Sequence, residues 1–165
     1  MILLLAAALA ANPATPSADI VTEAIVSPSP DALAAVLTDL DRFKAALPTD
    51  CVGRFEVGAL RAGKGATARL RYDMAAMHRA LTMTITRIEV LPERTIVDFD
   101  HATDRGFVTR WVMEPAPTGT QVRIRTALNA PPWPFAAYYF KAVLPEWTDC
   151  QARFLSAVTK SATGA

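Results

Sequence analysis

The sequence predicts an α+β domain in which a curved antiparallel β-sheet with one dry face is covered by a long C-terminal helix. Three observations lead there. Phe107, Thr109, Trp111 and Met113 alternate with Val108, Arg110, Val112 and Glu114, and after a Pro/Gly-containing break Val122, Ile124, Thr126 and Leu128 alternate with Arg123, Arg125 and Ala127. Period-two alternation in two adjacent runs, with Gly119 between them, is the signature of a paired hairpin that is apolar on one side. Directly afterwards the spacing becomes helical and rich in large rings: Phe135, Tyr138, Tyr139, Phe140, Trp147 and Phe154. A one-faced sheet and an amphipathic helix bury their apolar surfaces together when the helix lies across the concave side of the sheet.

The remaining elements follow in chain order. Residues 20–26 form a first short strand, stopped by Ser27-Pro28-Ser29-Pro30. Ser29 suits a helix N-cap, Pro30 the first turn and Asp31 the positive helix end, and Leu33, Val36, Leu37 and Leu40 recur at helical spacing. A second short helix spans 41–47 and ends at Pro48. Strands at 52–60, 66–74, 81–90 and 95–101 precede the hairpin, separated by a Gly63-Lys64-Gly65 turn, a turn at 75–78, Pro92-Glu93 and an Asp104-Arg105-Gly106 turn. Consecutive strands joined by short turns make an antiparallel meander. Pro145 falls inside the last helix, where a lost hydrogen bond and a steric clash predict a kink or break near Leu144.

Composition narrows the function. A chain of 165 residues is long enough for one domain with a core that needs no staples. With 17 basic and 16 acidic residues the formal charge is +1, so no basic excess is present to bind nucleic acid. Part of the 52% hydrophobic content lies in residues 1–11, a run too short to span a bilayer. Its length, with Ala8-Leu9-Ala10 at cleavage-like spacing and a polar Pro-rich stretch behind it, predicts a signal peptide and linker over 1–18, ahead of a single domain over 19–163. Export to the periplasm or the cell exterior follows, although the missing basic n-region leaves a cytoplasmic location open. Cys51 and Cys150 are the two cysteines. In an exported protein they can pair, closing a loop worth about 4–5 kcal/mol in the chain-entropy model; two buried free thiols are the alternative.

The local wording completes a family resemblance. The stretch from Ser27 to Phe43 looks like the first-helix signature of the START and birch-pollen-allergen superfamily (SRPBCC). Gly63-Lys64-Gly65 sits where its members turn between early strands, and Trp111-x-Met113 followed by Gly119-Thr120-x-Val122 looks like its late hairpin. The resemblance spans residues 19–160 and implies the helix-grip fold, a cavity between sheet and helix, and an apolar ligand. On that fold, alternation turns Ala66, Ala68, Leu70, Tyr72 and Met74 inward on one strand, Leu81, Met83 and Ile85 on the next, and Val97, Phe99 and His101 on the third. The expected ligand-binding set is Leu70, Tyr72, Met74, Met83, Phe99, His101, Trp111, Met113, Ile124, Tyr138 and Tyr139.

His101 is the chemically versatile member, but its place near a strand end beside Asp100 and Asp104 points to an exposed or capping role. Arg110 points outward and suits a salt bridge. No catalytic or metal-ligating constellation is present: there are two histidines, no Gly-x-Ser-x-Gly, no Gly-rich phosphate loop and no Cys/His cluster. The iron-ligand pattern of the related ring-hydroxylating oxygenases is missing too, and no cofactor is expected. Two functional readings follow. One is a binding or transport protein for a lipid, sterol, quinone or polyketide-like molecule, monomeric or weakly dimeric. The other is a polyketide cyclase/dehydratase-type enzyme acting on a bound aromatic precursor. The apolar turn from Met74 to Met77, beside His78 and Arg79, is a candidate for transient membrane contact.

Overall fold

The structure, a computed structural model, describes residues 17–73, 80–102, 107–129 and 135–164. The leader-like run, Met74, the turn at 74–77 and His78 lie outside these residues.

Strand β1 (Ser17–Val26) leads into helices α1 (Pro30–Leu37) and α2 (Leu40–Ala46). Strands β2 (Val52–Val57), β3 (Thr67–Tyr72), β4 (Ala80–Leu91), β5 (Arg94–Ala102), β6 (Phe107–Ala116) and β7 (Gly119–Asn129) follow, and helix α3 (Ala136–Thr163) closes the chain. All pairings are antiparallel and the sheet order is β1-β7-β6-β5-β4-β3-β2. The meander is thus continuous from β2 to β7, and β1 returns beside β7. Helix α3 packs against α1, α2 and β1. The expected helix-grip architecture is the observed one.

Local chemistry sets the boundaries. Ser29 caps α1, its hydroxyl accepting from the Ala32 amide at 3.2 Å, with Pro30 in the first turn. Asp39 caps α2 by accepting from the amides of Asp41 and Arg42. The hairpin between β6 and β7 closes on the Ala116–Gly119 pair, and Gly119 has φ +139. A Cβ there would lie 2.1 Å from the Val26 carbonyl oxygen, so only glycine lets β1 approach the turn. Register shifts at Val52/Arg54 and Ile85/Arg87 mark bulges in β2 and β4, which bend a sheet and sharpen its twist.

The alternation read from sequence matches the burial. Ala66, Ala68, Leu70, Tyr72, Leu81, Met83, Ile85, Val97, Phe99, Trp111, Met113, Val122 and Ile124 are all buried. Strand β5 departs from strict alternation, because Ile96 and Asp98 on its other face are buried as well. Asp98 sits there because Arg110 on β6 reaches over it, donating Nε to Oδ1 and Nη2 to Oδ2, both at 2.8 Å. A planar fork on a carboxylate is the strong form of this pairing, and it fills the outward role expected of Arg110.

Two expectations need correction. Of the kink or break expected near Leu144, the break is not formed: helix α3 runs continuously through Pro145. The proline is on the exposed side of the helix, as is Lys141, whose carbonyl loses its amide partner and can be hydrated instead. His101, expected at an exposed strand end, is only 3% exposed.

Cys51 and Cys150 form a disulfide, with Cα atoms 5.9 Å apart and a sequence separation of 99. It fastens α3 to the start of β2. Arg153, paired with Asp50 and Asp149, reinforces the same joint from the surface.

Candidate functional site

Cross-strand register assembles the inner face. Met83 on β4 lies opposite His101 on β5, His101 opposite Phe107 on β6, Phe99 opposite Thr109, and Trp111 opposite Ile124 on β7. Over this surface α2 contributes Phe43, and α3 contributes Trp147, Gln151 and Phe154. Phe43 stacks on Phe99 at 5.5 Å and on Phe154 at 6.3 Å, and meets Phe55 edge-on at 6.0 Å. Offset and edge-on pairs of this kind add to burial through the ring quadrupoles.

A cavity of about 40 Å³ lies between the sheet and the helices. It is lined by Phe43, Leu47, Val52, Phe55, Leu70, Tyr72, Met83, Phe99, His101, Thr109, Trp111, Ile124, Gln151 and Phe154. Pockets for drug-sized ligands run to about 300–1,000 Å³, so this space takes a larger guest only if lining side chains move. Phe154, half-buried at the helix edge, is the most exposed of the aromatic rings in the lining.

Seven of the eleven expected residues meet here: Leu70, Tyr72, Met83, Phe99, His101, Trp111 and Ile124. Met113 is fully buried in the core but does not line the cavity, and Tyr139 is half-buried at the core's edge. Tyr138 is 76% exposed and does not face the interior. It stands two positions after the buried Ala136, about 200° around the helix, whereas Tyr139 at three positions returns to the inner side. Met74 is outside the described residues.

Two of the polar side chains in the lining behave differently. Gln151 is buried and fully engaged: its amide donates to Thr22 Oγ1 at 3.0 Å and to the Ile124 carbonyl at 3.1 Å, while its oxygen accepts from Thr126 Oγ1 at 2.7 Å. Thr109 joins through Thr126 at 3.1 Å. This network clips α3 to β1 and β7, and nothing in the helical pattern announced it. His101 is the opposite case. Its ring stacks on Phe107 at 4.1 Å and 14°, with Tyr72 at 6.3 Å, and Trp147 packs edge-on against both Tyr72 and Phe107. Among the described residues, its Nδ1 is the buried side-chain nitrogen or oxygen with no hydrogen-bond partner. Burial pushes the imidazole down to about 3, so it is neutral across the physiological range, and burial likewise raises the Tyr72 hydroxyl, which stays protonated.

Beside the disulfide, a more open cleft of about 210 Å³ is lined by Asp50, Asp73, Glu146, Asp149 and Arg153. Among the described residues no group of three or more His, Cys, Asp or Glu side chains is placed to hold a metal, and no helix is long and apolar enough to cross a membrane.

No known family profile and no curated protein matches the chain by sequence. Solved structures do match by shape. The solution structure of KanY aligns with a TM-score of 0.70 at 19% identity, over 90% of this chain and 99% of that one. Norcoclaurine synthase from Thalictrum flavum, solved with dopamine and hydroxybenzaldehyde, aligns at 0.67 and 16% identity over 97% and 94%. Major latex-like protein 151 from Panax ginseng aligns at 0.61 and 11% identity over 88% and 94%. The chain therefore has the helix-grip fold, and these solved structures share its overall shape.

Proposed function

We propose that this protein binds an apolar small molecule in the cavity beneath α3. The observation that carries the reading is the space itself, walled by Phe43, Phe55, Phe99, Trp111, Phe154 and Met83, with His101, whose Nδ1 is unpartnered, in its lining. Rings supply large contact area at little entropic cost, and Met83 adapts to irregular outlines. Burial of a ligand against such a wall can supply micromolar affinity, about −8 kcal/mol, with no charged contact. The aromatic molecules named for the norcoclaurine synthase structure support a ring-containing guest. The cyclase/dehydratase reading asks His101 to move protons. An imidazole held near 3 is a weak base at neutral pH, which favours binding over catalysis. The apolar leader-like run and the Cys51–Cys150 bridge support export, since disulfides persist in oxidising compartments.

The test is fluorescence titration of the uncharged probe N-phenyl-1-naphthylamine into wild type, Phe154→Ala and Leu70→Trp. Wild type binds saturably, Phe154→Ala binds several-fold more tightly because its wall is cut back, and Leu70→Trp binds at least tenfold more weakly. Phe154→Ala alters a half-buried position and keeps the test usable should Leu70→Trp fail to fold. Equal binding by wild type and Phe154→Ala, or no binding by either, overturns the reading.

A further inference from the structure

The geometry points to a hydroxyl-bearing, uncharged aromatic molecule as the guest, with its hydroxyl hydrogen-bonded to Nδ1 of His101 and its ring among Tyr72, Phe99 and Trp111. The inference rests on the binding reading above and adds the ligand's chemistry to it.

Three observations combine. First, His101 lines the cavity and its buried Nδ1 has no partner, whereas buried polar atoms are nearly always paired. Second, the described lining contains no Lys, Arg, Asp or Glu, so a carboxylate, phosphate or ammonium group would be desolvated there without a counter-charge. Third, the buried amide of the lining is already committed, both amide hydrogens of Gln151 being donated within the protein. A neutral imidazole carries one donor and one acceptor nitrogen, and a hydroxyl can complement either. A carbonyl or ether oxygen meets only the donor form. The stacking of His101 on Phe107, its partner in the strand register, restrains the ring from which a guest hydroxyl would be held.

The probes are phenol and toluene, which share a shape and differ in the one group that matters. They are titrated calorimetrically into the full chain and into His101→Phe, which keeps a ring stacked on Phe107. An apolar cavity without a partner for the hydroxyl rejects phenol, because an unpaired hydroxyl is costly to bury. Wild type is expected to bind phenol at least as tightly as toluene, and His101→Phe to prefer toluene about tenfold or more. In parallel, the ¹⁵N resonances of the two histidines are followed in wild type, with His78→Gln assigning them. Phenol is expected to shift the His101 Nδ1 signal and toluene to leave it in place, a readout that needs no folded His101 variant. If both probes bind wild type with the preference seen in His101→Phe, or if the Nδ1 signal ignores phenol, the hydroxyl assignment is wrong while the cavity stands. If neither probe binds wild type, the cavity reading fails and takes this assignment with it.

Discussion

His101 shows how far a single residue's environment can be read from its neighbours in sequence. Alternation through Val97, Phe99 and His101 gave the correct face, but the polar run around Asp100 and Asp104 suggested exposure. The ring stacked on it, Phe107 on the next strand, comes from later in the chain, as does Trp147, which packs against Phe107 and Tyr72. The burial has a measurable consequence for stability. In the unfolded chain this histidine takes up a proton as pH falls through 6.5, whereas in the folded state it resists protonation until about 3. Within that window the unfolded state binds more protons, so stability falls as pH falls, and above 6.5 the residue contributes no pH dependence. The described rings around it, Tyr72 and Phe107, carry no charge at these pH values. Urea unfolding of wild type and His101→Phe at about pH 7.5 and about pH 5.5 should show wild type losing about 1.4 kcal/mol more than the variant over that interval. An equal loss in both would mean that His101 titrates normally and is not sealed in. Gln151 teaches a related lesson: a polar residue on the inner side of a helix is satisfied by Thr22, Thr126 and the Ile124 carbonyl, partners 25 to 129 residues away.

At the level of elements, the strands were legible because the sheet has one dry face and therefore writes a period of two. The cap of α1 was legible because Ser29 stands directly before an apolar helical run, whereas Asp39, which caps α2, lies two residues ahead of the helix start expected at 41. Strand β5 was less so: Arg110 covers Asp98 from the adjacent strand, and that lateral cover leaves no trace in β5's own pattern. Helix α3 does not break at Pro145, where a local rule met a tertiary one. Its inner side, from Val143 through Trp147, Cys150, Gln151, Leu155 and Val158, is buried on both sides of the proline, and the disulfide ties the middle of the helix to β2. Packing holds the helix together at a position that intrinsic propensity disfavours. Because Pro145 is exposed and the backbone around it is already helical, Pro145→Ala should restore a hydrogen bond and raise stability by about 1–3 kcal/mol in urea unfolding. An unchanged or lowered stability would show that the proline serves the native helix, for instance by setting its curvature over the sheet.

For the whole molecule, the arrangement of sheet and helices follows from two surfaces that must be buried, and it leaves an aromatic cavity of about 40 Å³ at their junction. The inward residues were predictable wherever strand alternation governed them. The helical wall was not, because Phe43, Gln151 and Phe154 reach the cavity only through the way α2 and α3 lie over the sheet. Seven of the expected lining residues meet there, while Tyr138 points away on a helix whose phase depends on where it starts. The central claim is that this interior space, and no surface patch, receives an apolar guest. Methyl-selective NMR with N-phenyl-1-naphthylamine tests it without altering the protein, since Leu70, Met83 and Ile124 line the cavity and Val21 and Ile25 are exposed on β1. The account predicts saturable shifts at Leu70, Met83 and Ile124 with Val21 and Ile25 unmoved; shifts confined to Val21 and Ile25, or none at any of the five, would contradict it.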